Sequence, residues 1–183
     1  ASIDCTGYGG ELVDGGFTLD VENDVTFVAG MTLTATGTLD MTDGGTLITG
    51  GQVLHNLTAT RDAFLFGDDL TMTGVLNLNG CDLTWGTGLV HLTGDGLAHD
   101  LNTNGYGYPG VLSGTLRLSG TNSSVIFRGD FKEWMQLELL ADCTLDLSSR
   151  DELRSGGSNG SLVIADGVTV TLTENVRLDM KRD

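Results

Sequence analysis

Proline is nearly absent from the sequence: Pro109 is the only one in 183 residues. The 28 glycines are therefore not the filler of a Pro-rich linker. Aromatic residues make up 6% of the chain, so a core has to be assembled from Leu, Val, Ile and Thr, which suits a thin stack of aliphatic and β-branched ladders. Basic residues are scarce, 9 against 25 acidic ones, and the net charge of -16 repels nucleic-acid backbones and anionic lipid surfaces alike. No nucleic acid and no membrane is expected as a partner; the acidic surface keeps a β-rich particle soluble. There is no run of about 18 apolar residues, and no basic segment leads into an apolar one at the start, so neither a membrane span nor a secretion leader is expected. Ala1–Ser2 suits removal of an initiator Met, although a trimmed leader would leave a similar end. The three cysteines, Cys5, Cys81 and Cys143, are odd in number and far apart, which argues against a disulfide framework or a Cys-rich metal site and favours synthesis in a cytosol. Nucleophile elbow, Walker loop, His-Glu-x-x-His and dinucleotide fingerprint are all missing.

What the chain does have is repetition. Thr49-Gly50-Gly51-Gln52-Val53-Leu54-His55-Asn56-Leu57 returns as Thr93-Gly94-Asp95-Gly96-Leu97-Ala98-His99-Asp100-Leu101, and a degraded copy follows at Ile126–Leu137. A second phrase recurs as Gly37-Thr38-Leu39-Asp40-Met41, Gly74-Val75-Leu76-Asn77-Leu78, Gly114-Thr115-Leu116-Arg117-Leu118 and Cys143-Thr144-Leu145-Asp146-Leu147. In each, apolar residues two apart alternate with Thr, Asp or Asn, the pattern of a strand with one buried face, and glycine closes the unit. The spacing predicts an all-β chain, a right-handed parallel β-helix (β-solenoid) whose short strands stack rung on rung.

Two turns of about 22 residues per repeat give eight or nine rungs and a rod about 40 Å long. A single domain over 1–183 is expected, with 1–15 as a cap or attachment segment, rungs over 16–180 and a charged tail at 181–183. Two segments break the alternation. One is a loop near 102–110, carrying Tyr106, Tyr108 and Pro109. The other spans 148–161, where Arg150–Arg154 is expected to make one helical turn at most.

His55 and His99 fall at matching places in the 44-residue repeat and are expected on one face at strand corners, about 10 Å apart and too far to share a metal. His91 is expected to face solvent without ligand partners. No cofactor and no metal is expected: acidic turns such as Gly67-Asp68-Asp69, Gly94-Asp95-Gly96 and Gly129-Asp130 could offer oxygens to Ca²⁺, but turn chemistry is the simpler reading. A glycosidase would need paired carboxylates beside aromatic platforms, and Asp130, Glu133 and Trp134 are the nearest local set; in so acidic a chain such proximity arises by chance, and no enzyme is expected. Threonine pairs at Thr32–Thr34 and Thr169–Thr171 are too irregularly placed for an ice-binding array. The most apolar stretch contains Phe127, Phe131, Trp134, Met135 and Leu137. It either faces a partner subunit, most simply in a homotrimer, or makes a wider core rung under a bulge.

The unit from Leu54 to Gly80 resembles repeats of parallel β-helix segments in bacterial surface adhesins and autotransporter passengers, and in bacteriophage virion proteins such as tailspikes and head fibres or decorations. The likeness extends over roughly Met31 to Leu147. It implies a structural or adhesive exterior protein, and the short chain without a leader favours the phage particle. The expectation is a non-enzymatic virion-surface protein made in the host cytoplasm, a capsid decoration or fibre component that self-associates and binds other virion proteins. The alternative is a glycan-binding module of a tailspike or bacterial cell-surface adhesin, with Tyr106, Tyr108 and Trp134 touching a host surface sugar.

Overall fold

The computed structural model describes residues 1–60, 63–80, 82–85, 88–102, 114–128, 136–146, 152–155, 161–173 and 177–180. The first turn is β1 (Ile3–Asp4), β2 (Glu11–Val13) and β3 (Thr18–Val21), and the second is β4 (Val25–Thr26), β5 (Thr32–Thr34) and β6 (Thr38–Met41). The third comprises β7 (Gly45–Ile48), β8 (Val53–Leu54) and β9 (Asn56–Thr60), and the fourth β10 (Ala63–Phe66), β11 (Leu70–Met72) and β12 (Leu76–Asn79). The fifth is β13 (Asp82–Trp85), β14 (Leu89–Leu92) and β15 (Ala98–Asn102). Then come β16 (Thr115–Leu118), β17 (Ser123–Arg128), β18 (Gln136–Leu139) and β19 (Cys143–Asp146). The last are β20 (Glu152–Ser155), β21 (Leu162–Ile164), β22 (Val170–Thr173) and β23 (Arg177–Met180).

Every described strand pair is parallel. Each strand bonds to its counterpart one turn earlier or later, so the chain is a β-solenoid with three strand positions per turn. The longest sheet has eight strands in the order β3-β6-β9-β12-β15-β17-β19-β22. A six-stranded sheet runs β8-β11-β14-β16-β18-β21, and a five-stranded one β1-β4-β7-β10-β13. About six turns carry all three strands. The uniform 22-residue rung overstated the regularity: neighbours in one column are 18 residues apart at Leu39–Leu57 but 27 apart at Leu145–Leu172.

Alternation decides what is buried. In β6, β9, β14, β16 and β18 every second side chain turns inward and is buried. The core is thus a set of columns running along the rod. One column contains Leu39, Leu57, Leu76, Val125 and Leu145, each at most 5% exposed, and a second contains Met41, Ala59, Leu78, Leu101 and Phe127. Each fully buried Leu stabilises the fold by about 1.5–3 kcal/mol relative to exposure.

The register corrects one reading of the repeat. Leu57 pairs with Leu76, and the pairing of Asn77 with Asp100 places His99 next in that column. The 44-residue offset therefore matches residues one column apart. Because the slip is two positions, Leu57 and Leu101 are both still buried, as their inward assignment requires. His55 and His99 are not equivalent: His55 is half-buried at the edge of β9 with Nδ1 3.1 Å from Thr73 Oγ1, whereas His99 is wholly buried in the core.

One local expectation also changes. Glu152–Ser155, within the segment expected to hold a helical turn, is a strand paired with Arg177–Met180, because a neighbouring rung supplies backbone partners that local composition cannot reveal. Within 1–15, β1 and β2 pair with β4 and β5 of the second turn. The loop at 103–110 lies outside the described residues.

Candidate functional site

Two sets of polar side chains were candidates for chemistry: the turn carboxylates and the outward faces of the strands. The turn carboxylates are engaged in holding successive rungs together. Asp14 accepts hydrogen bonds from the backbone N–H of Gly16, Thr36 and Gly37 and from the Thr36 hydroxyl, at 2.9–3.1 Å. Asp68 accepts from Thr49 N–H, Gly50 N–H and the Thr49 hydroxyl. Asp24, Asp69, Asp95 and Asp142 accept from the N–H of Thr46, Leu89, Thr121 and Thr169 in the following turns. Apart from the local bond from Gly16, each of these bonds crosses to an adjacent rung at a corner, where the parallel ladder is interrupted and a backbone donor would otherwise lack a partner. Asp68, Asp69 and Asp95, three of the carboxylates considered for Ca²⁺, each accept in this way. Among the described residues, no three His, Cys, Asp or Glu side chains converge as a metal site.

Burial by itself would raise the Asp14 carboxyl, but the hydrogen bonds from Gly16, Thr36 and Gly37 outweigh it and hold the group at about 2, against an ordinary 3.8. The folded value lies below the unfolded one, so the stabilisation is complete above pH 3.8 and is lost as pH falls through about 2. Asp14→Ala is expected to lower stability at neutral pH by about 1–2 kcal/mol after solvent screening, with the difference from wild type closing below pH 3. Urea titrations of both proteins across that pH range measure it.

The best-formed polar constellation lies on the outer face of the six-stranded sheet. His91, Arg117 and Glu138 occupy one outward column on β14, β16 and β18. Arg117 Nε donates to Glu138 Oε2 at 2.6 Å, and the two side chains are 33% and 16% exposed. Gln136 Nε2 donates to Glu138 Oε1 at 3.0 Å, and His91 Nε2 lies 2.8 Å from Ser119 Oγ. Burial first, and the Arg117 charge second, lower the His91 pKa, while Glu138 opposes them. His91 is therefore neutral at physiological pH. Both oxygens of Glu138 thus accept from neighbouring side chains. The strip presents a guanidinium, a carboxylate, an amide, an imidazole and a hydroxyl side by side, a donor and acceptor set suited to a neutral polyhydroxylated ligand.

Of the residues proposed for an interface, Phe127 and Leu137 are in the core, 2% and 5% exposed. Their strands β17 and β18 point them inward, so these two residues follow the core alternative. Phe131, Trp134, Met135, Tyr106, Tyr108, Asp130 and Glu133 lie outside the described residues. Leu140, just after β18, is exposed, and further exposed apolar side chains include Phe17, Val13 and Tyr8 in the first turn and Val163 and Ile164 in β21. Sequence reading assigned His91 correctly to solvent but missed its neighbours. The signal was present in the matching phrases Thr-Leu-Arg-Leu and Gln-Leu-Glu-Leu, whose opposite charges meet once the rungs are placed in register.

No family model, curated protein or solved structure matches the chain.

Proposed function

We propose that the protein is a non-enzymatic structural element of a bacteriophage particle's exterior, a capsid decoration or fibre component. The observation that carries the structural reading is the commitment of its turn carboxylates to adjacent rungs. An acidic side chain that receives backbone N–H groups is scaffold, and six carboxylates used this way make a stiff rod with a repelling surface. The phage setting rests on the likeness of the Leu54–Gly80 phrase to virion β-helix repeats. In this reading the protein is made in the host cytoplasm, self-associates, most simply as a trimer, and binds other virion proteins, with Phe131, Trp134 and Met135 as the interface residues kept from the apolar stretch. Purified particles from lysates should carry the chain in fixed stoichiometry; its recovery only as free protein would count against this assignment.

The second reading, a glycan-binding module of a tailspike or cell-surface adhesin, is favoured by the outward strip of His91, Arg117, Gln136 and Glu138. Tyr106, Tyr108 and Trp134 would add stacking surfaces. A glycan array separates the two. Saturable binding that falls at least tenfold in Arg117→Ala or in Tyr106→Ala/Tyr108→Ala supports the module, and a blank array supports the structural element.

A further inference from the structure

His99 stands in a column otherwise built of Leu and Val, between Leu76 of one rung and Val125 of the next, with no exposed surface. Its Nδ1 accepts a hydrogen bond from the backbone N–H of Leu76 at 3.2 Å, which assigns the imidazole proton to Nε2. That Nε2 is buried and has no hydrogen-bond partner among the described residues. The ring thus satisfies one neighbour while leaving a polar atom in an apolar interior.

We propose that His99 makes the junction between β12 and β15 an acid-sensitive seam, closed while the imidazole is neutral and opened when it is protonated. The geometry supplies the mechanism. Protonation turns Nδ1 from an acceptor into a donor, directly facing the Leu76 N–H, itself a donor; this bond between the two rungs is lost and the donors confront each other beside the β12–β15 ladder. At the same time a full charge appears where no water reaches.

No compensating charge faces the ring among the described side chains. The inward residues of β12 are Leu76 and Leu78, and those of β17 are Ser123, Val125 and Phe127. Across the interior stand Leu70 and Met72 of β11, Val90 and Leu92 of β14 and Leu116 and Leu118 of β16. His91, Arg117 and Asp100, the titratable or charged groups among the described side chains of these strands, alternate with the buried residues and point outward. Cys143, one rung beyond Ser123, is a thiol raised by its burial and by Asp142, and it carries no charge in acid.

Position gives the seam its consequence. In the eight-stranded sheet it falls between β12 and β15, with four strands on either side, so opening parts this sheet into two halves that each keep their own ladders while β10–β13 and β11–β14 still join the same two turns. Burial lowers the His99 pKa to about 4 from 6.5, which sets the window. The open state takes up the proton more readily than the closed one, so opening is favoured progressively as pH falls from 6.5 to about 4. The carboxylate contribution of Asp14 fades at lower pH and in different rungs, which keeps the two effects apart.

Hydrogen exchange followed by mass spectrometry between pH 7 and 4.5, corrected for intrinsic rates, tests the seam on the full chain. Amides of Leu76–Asn79 and Ala98–Asn102 are expected to lose protection by more than tenfold over this range, tending to on the order of 100-fold in stronger acid, while β3, β6 and β9 keep theirs. His99→Leu, which continues the leucine column, and His99→Gln, which retains an acceptor for Leu76 and does not titrate, should both abolish the acid response. If either variant folds and responds to acid as wild type does, or if wild-type protection falls uniformly over all rungs, the seam is overturned. Should neither variant fold, a titration of His99 by NMR in the wild-type chain decides: a midpoint near 4 with loss of the Leu76 amide signal supports the proposal, and a midpoint at 6 or above overturns it.

Discussion

Truncating Leu57, Leu76 or Leu145 to Ala is expected to reduce the free energy of unfolding by about 2–5 kcal/mol each. All three are at most 1% exposed and stand in one inward column, with rungs above and below that are hydrogen-bonded in fixed register. The column cannot collapse into the vacancy without breaking that register, so most of the cavity persists and the cost lies well above the transfer term. Outward replacements on the same strands provide the contrast. Thr71→Ser and Asp40→Asn should stay within about 0.5 kcal/mol. For Asp40 the sign is slightly stabilising at neutral pH: burial first, and the Asp20 charge second, raise its pKa, so the ionised form is disfavoured in the fold. That gain should vanish in acid, where Asp40 is protonated and no longer charged. Urea unfolding midpoints measure both classes. Leu→Ala variants that unfold with wild type, beside outward variants that collapse, would mean that each strand's faces are reversed.

Gly120→Ala is expected to cost about 3 kcal/mol, a drop in Tm of about 6–12 °C for a domain of this size. A Cβ at Gly120 would collide with the carbonyl oxygen and carbon of Gly94, and one at Gly94 would meet the carbonyl oxygen of Thr73 in the turn before. These are backbone atoms held by the rungs themselves, so relief requires rungs to separate. Gly96 isolates the other use of glycine. Its φ is +66° and nothing lies within 4 Å of a Cβ there, so Gly96→Ala meets only the left-handed backbone penalty, about 1 kcal/mol. Thermal unfolding of the two variants side by side separates close approach from conformational strain; equal effects would show that Gly120 is not held against Gly94.

Much of the fold was legible because its cause is local. Thr115-Leu116-Arg117-Leu118 and Gln136-Leu137-Glu138-Leu139 alternate strictly, and a two-residue period puts the leucines on one side in any sheet that buries one face. The stacked architecture followed from the recurrence of such phrases. The polar strip was less legible. Arg117 and Glu138 lie 21 residues apart, and although their strands carry opposite charges at matching positions, the register that brings them together is not fixed by either strand alone. The apolar stretch misled for a related reason: Phe127 and Leu137 ended up in the core because the alternation of their own strands faces them inward, whereas composition only marks a region as apolar.

The sequence by itself determined the class of this protein: stacked parallel strands, an aliphatic core built in columns, glycine at the turns, and an acidic composition. These depend on side-chain period, size and charge, which are properties of short segments. Register was decided only by the tertiary structure. The two best-matched repeats align by eye at 44 residues, yet the ladder joins Leu57 to Leu76 and sets His99, not Leu101, in line with them. Backbone hydrogen bonds and core packing choose the column, and a shift of two residues conserves the inward face while exchanging one column for the next. That exchange is why one histidine of a repeated pair lies at a half-exposed edge and the other is sealed in the core, where its charge state bears on whether two rungs stay joined.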